Sequence, residues 1–187
     1  MNNFSSNNVS ERFRAVWIAP ERTGSRTVAQ ILNYCGFHRN QKPISLCEIY
    51  NYTHRFKDPS LFNDWVHICS ARNPYARTYS LYKMIQTEVK STFKDFVKKR
   101  MFNLKGKEMV LNPYFYKNPE FIVRLEYLKE DLIKIPFVTE CLTETQLDYM
   151  TIHGKPLSSW EEHYDEEMKE IIYNTLKHHF TTWGYDK

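Results

Sequence analysis

Two stretches of this sequence combine residue types and spacing that could hold an anion. The first is Thr23–Gly24–Ser25–Arg26–Thr27, which lies between a short apolar run and a segment with helical periodicity. A loop in that position presents successive backbone N–H groups at a helix N-terminus, where the dipole favours negative charge. Gly24 permits close approach, and the hydroxyls of Thr23, Ser25 and Thr27 add donors. The second is RNPYARTYS, residues 72–80. It puts Arg72 at the carboxyl end of one run and Ser80 two turns into the next, so a guanidinium and a hydroxyl can converge on a second phosphate. An ATP-binding loop would read G-x-x-x-x-G-K-[ST]. Laid over Ala19 to Arg26, that pattern meets Ala19 at its first glycine, Ser25 at its lysine and Arg26 at its hydroxyl.

The elements that would position these groups can be read from periodicity. RAVWIA, from Arg14, is a short apolar run of buried-strand type, and Val28, Ile31, Leu32 and Cys35 then fall at helical spacing up to a stop at Gly36. WVHICSA (65–71) reads as a second strand, RNPY as a turn and ARTYSLYKMIQ (76–86) as a helix, with Pro74 tolerated near its start. Thr92 and Asp95 stand in capping-box spacing before Phe93, Phe96, Val97 and Met101. FIVRLE (121–126) is a third strand, followed by a helical turn through Leu128 and Leu132. Asp165 can cap a last helix with an apolar stripe of Met168, Ile171, Ile172, Leu176 and Phe180. Strands alternating with helices predict an α/β fold, a parallel sheet with helices on both faces. Residues 40–62 and 103–120 have weaker periodicity and are candidate acceptor-binding loops beyond the strand ends.

A chain of 187 residues, 42% of them hydrophobic, can bury one core. We expect one domain over 13–187 behind a flexible tail at 1–12. A net charge of +4 suits an anionic small ligand and is low for a nucleic-acid reader. Cys35, Cys47, Cys69 and Cys141 are scattered along the sequence and read as reduced thiols. The polar N-terminus lacks the apolar core of a signal peptide, and no stretch approaches a membrane span, so the expectation is a soluble, cytoplasmic protein.

Taken together, these strings resemble the sulfotransferases that use 3′-phosphoadenosine 5′-phosphosulfate (PAPS), of the carbohydrate and tyrosylprotein type. PERTGSRT at 20–27 is similar to their P-[KR]-[ST]-G-[GST]-[ST]-like loop for the 5′-phosphosulfate. RNPYARTYS matches their R-N-P-x-x-R-x-x-S segment for the 3′-phosphate. Two weaker echoes follow in order: VRLEYLKEDL at 123–132, like an R-x-E-x-L strand, and YNTLKHHFTTWGY at 173–185, like a closing Y…F-x-x-[FW]-G-Y helix. The resemblance covers most of residues 14–185 and implies a P-loop-like fold. It departs from the pattern at one place: anchored on Pro20, Glu21 occupies the family's lysine position; anchored on Thr23–Gly24, Arg22 does. We prefer the glycine anchor, because the turn and its N–H groups hold the anion.

What the resemblance implies is transfer of a sulfuryl group from PAPS to an acceptor hydroxyl, leaving adenosine 3′,5′-bisphosphate (PAP), without a metal. Such transfer needs in-line placement and charge stabilisation on the leaving side. The leaving phosphate needs no proton, so an arginine, which stays charged, can serve. Arg22 takes that catalytic place, with Thr23, Gly24, Ser25, Arg26 and Thr27 around the phosphosulfate and Arg72 and Ser80 at the 3′-phosphate. For the general base, His54 and Glu48 are both candidates; His54 titrates near neutrality, whereas Glu48 would need a raised pKa. Lys155 could reach the 3′-phosphate and Trp160 could pack near the adenine. Arg77 could brace the turn, and Arg124 could bind or pair with Glu126. His178 and His179 read as charge partners of the last helix's C-terminus. The acceptor favoured by the resemblance is a carbohydrate. ATP-dependent phosphoryl transfer and catalytically silent nucleotide or glycan binding are the alternatives.

Overall fold

The computed structural model describes residues 9–10, 12–18, 22–36, 64–100, 119–152 and 159–187. Its centre is a sheet in the order β1-β2-β3-β4: β1 (Val9–Ser10), β2 (Ala15–Ile18), β3 (Val66–Ala71) and β4 (Phe121–Arg124). The last three strands are parallel, with Trp17 opposite Ile68 and Ala71 opposite Arg124. Val9 and Ser10 lie within the stretch expected as a tail, yet they pair antiparallel with Val16 and Ala15, and Ser10 is fully buried.

Helices cover both faces. After β2 comes α1 (Ser25–Tyr34), and after β3 comes α2 (Pro74–Val89). A short turn, α3 (Phe93–Asp95), then runs on as a π-helical stretch, Phe96–Arg100. Beyond β4 lie a 3₁₀ turn at Leu125–Tyr127, α4 (Leu128–Leu132), α5 (Pro136–Cys141) and α6 (Glu144–Ile152). A further 3₁₀ turn, Glu161–His163, leads to α7 (Glu166–Trp183). On one face of the sheet Ala15, Trp17, Ile68 and Val123 are buried together with Val28, Ile31 and Leu32 of α1 and Leu132, Val138 and Leu147 of the later helices. Trp17 reconciles its indole N–H with that core by donating to Ser70 Oγ at 2.8 Å. The opposite face carries Cys69, beside Arg77 of α2 and Trp183 of α7. Between α2 and α7 a second core forms from Tyr75, Tyr79, Tyr82, Phe96, Met168, Ile172 and Phe180.

The caps expected from the sequence are present. Thr92 Oγ1 accepts the Asp95 N–H at 3.1 Å, and Asp165 Oδ1 accepts that of Met168 at 2.8 Å. Packing also brings together what sequence spacing kept apart: Cys35 and Cys141 are hydrogen-bonding neighbours, and burial, then Cys141, push the Cys35 thiol up to about 12. No helix among the described residues is long and apolar enough to cross a membrane.

Candidate functional site

Because β2 and β3 are parallel neighbours, their carboxyl ends lie side by side. Just before α1 the chain turns sharply. Arg22 takes φ 64, a left-handed conformation that is uncommon outside glycine, and Gly24 follows with φ 76. Gly24 is required by its left-handed backbone, and a Cβ there would also displace the end of the Leu125 side chain. The Gly24 carbonyl accepts the N–H groups of Thr27 at 3.0 Å and Val28 at 3.2 Å. Helical geometry leaves the preceding N–H groups, those of Ser25 and Arg26, without acceptors inside α1 and places them at its positive end.

The segment after β3 owes its shape to local chemistry. Asn73 Oδ1 accepts the N–H groups of Tyr75 at 2.9 Å and Ala76 at 3.3 Å, and Pro74 occupies the first helical position, where its missing N–H costs nothing. Asn73 and Pro74 are therefore explained by starting α2. Arg72 is not: nothing in the turn requires a guanidinium there.

The structure brings the two segments into contact. Arg22 Nε donates to Ser80 Oγ at 2.9 Å, and Arg72 Nη1 donates to the Arg22 carbonyl at 3.3 Å. Arg22, assigned from sequence to the phosphosulfate, and Ser80, assigned to the 3′-phosphate, thus form one cluster. Arg72 is 7% exposed, and its buried Nε has no hydrogen-bond partner among the described residues. Burial lowers its pKa most; Glu126 opposes that shift, and the nearby positive charge of Arg22 adds to it. A desolvated cation with a free donor beside a second cation is costly for the ligand-free fold. An anion between the two guanidinium groups would relieve both problems.

Glu126 was missed by sequence reasoning except as a partner for Arg124, and that pairing is not the one formed. Arg124 binds Asp131 through Nε at 2.8 Å and Nη2 at 2.9 Å. Burial pushes the Asp131 carboxyl up, but hydrogen bonds from Arg124 and Lys134 outweigh it and hold it below the usual range. Arg124 therefore braces β4 against α4 and is spoken for. Glu126 instead accepts the Asn73 N–H at 3.1 Å and the hydroxyl of Tyr185. The R-x-E spacing signalled both acids and bases but not their partners.

Other expectations fall differently. Arg77 is 2% exposed and lies beside Cys69 and His179. His179 is corrected: it is 4% exposed, stacks on Trp183 at 4.4 Å, and burial, with Arg77 adding like charge, drops its pKa to about 3. A neutral imidazole cannot serve as a charge partner of the helix end. Trp160 is half-buried and stacks on Tyr75 at 5.6 Å. Thr23 is fully buried. Glu21, Glu48, His54 and Lys155 lie outside the described residues, as do the side chains of Ser25 and Arg26 and nearly all of the two candidate acceptor loops.

Comparison of the chain with models of known protein families, with curated proteins and with solved structures finds no match.

Proposed function

We propose that this chain is a PAPS-dependent sulfotransferase with a P-loop-like fold, acting on an acceptor hydroxyl of a carbohydrate. The observation that carries the reading is the buried guanidinium of Arg72, with its orphaned Nε, meeting Arg22 and Ser80 at the carboxyl ends of two adjacent parallel strands. Beyond the ends of such strands is where open α/β sheets take their ligands. Two permanent cations and a helix N-terminus suit a ligand with more than one anionic group. The strings TGSRT and RNPYARTYS then favour a phosphosulfate and a 3′-phosphate over a triphosphate, since the lysine of the ATP-binding pattern is replaced by Ser25.

In this reading PAPS supplies an activated sulfuryl group. Arg22 stabilises charge on the leaving phosphate without giving up a proton, because a guanidinium stays ionised. Ser80 holds Arg22 by its Nε and leaves the two terminal nitrogens for the ligand. Arg72 binds the 3′-phosphate, supported by the turn that Asn73 and Glu126 fix. His54 or Glu48 would receive the acceptor proton.

A thermal-shift comparison of PAP, ATP and AMP tests the proposal, since a ligand that binds the native state raises its melting temperature. The expected order is PAP well above AMP. Equal shifts for PAP and AMP would reject the reading, and a larger, Mg²⁺-dependent shift with ATP would favour a phosphotransferase.

A further inference from the structure

The carboxylate of Glu126 connects the anion cluster to the residues that follow α7. Its two oxygens are divided: Oε1 accepts the Asn73 N–H at 3.1 Å, and Oε2 accepts the Tyr185 hydroxyl. Tyr185 is delivered there by the end of α7. Gly184 takes φ 69, and the Tyr185 N–H closes back on the Phe180 carbonyl at 3.0 Å, a left-handed cap that turns the chain toward β4. Glu126 also exerts the strongest opposite-charge influence on Arg72. Arg72 nevertheless donates to the Arg22 carbonyl, and its Nε has no partner among the described residues.

This division has a chemical consequence. A carboxylate free to turn onto a buried guanidinium would form a two-point ion pair with it and cancel the charge an anion requires. Here one oxygen is committed to the backbone of the Arg72–Asn73 turn and the other to a phenol. We propose that Glu126 and Tyr185 are positioning residues: Glu126 fixes the turn that carries Arg72, and the Tyr185 hydroxyl holds Glu126 off the Arg72 guanidinium, keeping it available to an anion. The proposal rests on reading Arg72 as an anion ligand. It makes the affinity of the site depend on a side chain that is 59 residues from Glu126 in sequence and beside it in the fold.

The test uses the full chain and two probes, inorganic sulfate at constant ionic strength and PAP, each titrated calorimetrically. Tyr185→Phe should weaken both by roughly tenfold, the factor expected when one charge-assisted contact is lost. Adding Glu126→Gln to Tyr185→Phe should restore binding, because the amide still offers an oxygen to Asn73 but brings no charge against Arg72. A purely structural role for Tyr185 would not be rescued by that second change. Glu126→Gln alone, which leaves the tyrosine in place, should bind sulfate more tightly than the parent. The proposal is overturned if Tyr185→Phe binds both probes like the parent, if the double variant is no better than the single, if Glu126→Gln alone binds more weakly, or if the parent binds no sulfate. Sulfate binding that follows the expected order of variants, with no preference for PAP over AMP, would support these roles while rejecting the sulfotransferase reading.

Discussion

Arg22 Nε and Ser80 Oγ lie 2.9 Å apart, although 58 residues separate them in sequence. The bond ties the turn before α1 to the second turn of α2, so the two residues should behave as a unit. Ser80→Ala is expected to lower PAP affinity, and adding Arg22→Ala should cost less than the sum of the single changes. Contacting residues typically couple by about 0.5–3 kcal/mol. Calorimetric titration of the four species measures this, and strict additivity would show that the contact does not matter for binding.

Arg72 should show opposite effects on stability and on binding. Replacing a desolvated, incompletely bonded cation by an apolar side chain of similar length, Arg72→Met, should raise the stability of the ligand-free chain by about 1 kcal/mol or more. The same change should abolish the preference for PAP over AMP. Arg72→Lys should recover only part of that preference, because a point charge lacks the planar fork. Urea midpoints and thermal shifts give the two halves; a loss of stability in Arg72→Met would mean that the guanidinium is structural.

Gly24→Ala is expected to destabilise the fold by about 1–2 kcal/mol, since a side chain in a left-handed conformation carries that cost. The collision with Leu125 adds to it, but that leucine is a side-chain end that can move. Combining Gly24→Ala with Leu125→Ala should therefore leave the backbone strain unrelieved. Recovery of the parent's stability by the double variant in urea unfolding would contradict this.

The imidazole of His179 gives the chain an acid sensitivity of defined sign. Its pKa falls from 6.5 to about 3 on folding, through burial first and the Arg77 charge second. The unfolded chain therefore binds the extra proton first as pH drops. The contribution is fully present above pH 6.5, is lost progressively below it, and is exhausted near pH 3. His179→Phe, which keeps an aromatic ring against Trp183, should flatten stability between about pH 6.5 and 5, above the range in which carboxylates such as Asp131 titrate in the unfolded chain. Denaturation midpoints across that range decide it; an unchanged slope in the variant would place the acid sensitivity elsewhere.

Much of the frame could be read from local pattern. The apolar runs at β2, β3 and β4, the stripe on α7 and the caps Thr92 and Asp165 each act through residues a few positions apart, which is what periodicity detects. Helices α5 and α6 are short and have little apolar periodicity to announce them. A signal was present all the same: Pro136 starts α5, and Thr143 and Gln146 exchange hydrogen bonds as a capping box before α6. The site was legible as two strings and not as a geometry. That Arg22 would reach Ser80, that Asp131 would take Arg124, and that Glu126 would be left for Asn73 and Tyr185 all depend on strand register, which one sequence does not display.

Arg72 directly follows β3, which pairs with parallel strands along both edges, β2 on one side and β4 on the other. Ile68 and Cys69 are bracketed in that way and fully buried. Their amide protons should exchange with solvent only when the whole domain opens, whereas α6, on the periphery, can exchange by local fraying. An anion bound at Arg72 would then slow exchange at Ile68 and Cys69 by the full factor of its binding equilibrium, making the middle of the sheet a reporter of occupancy that needs no turnover.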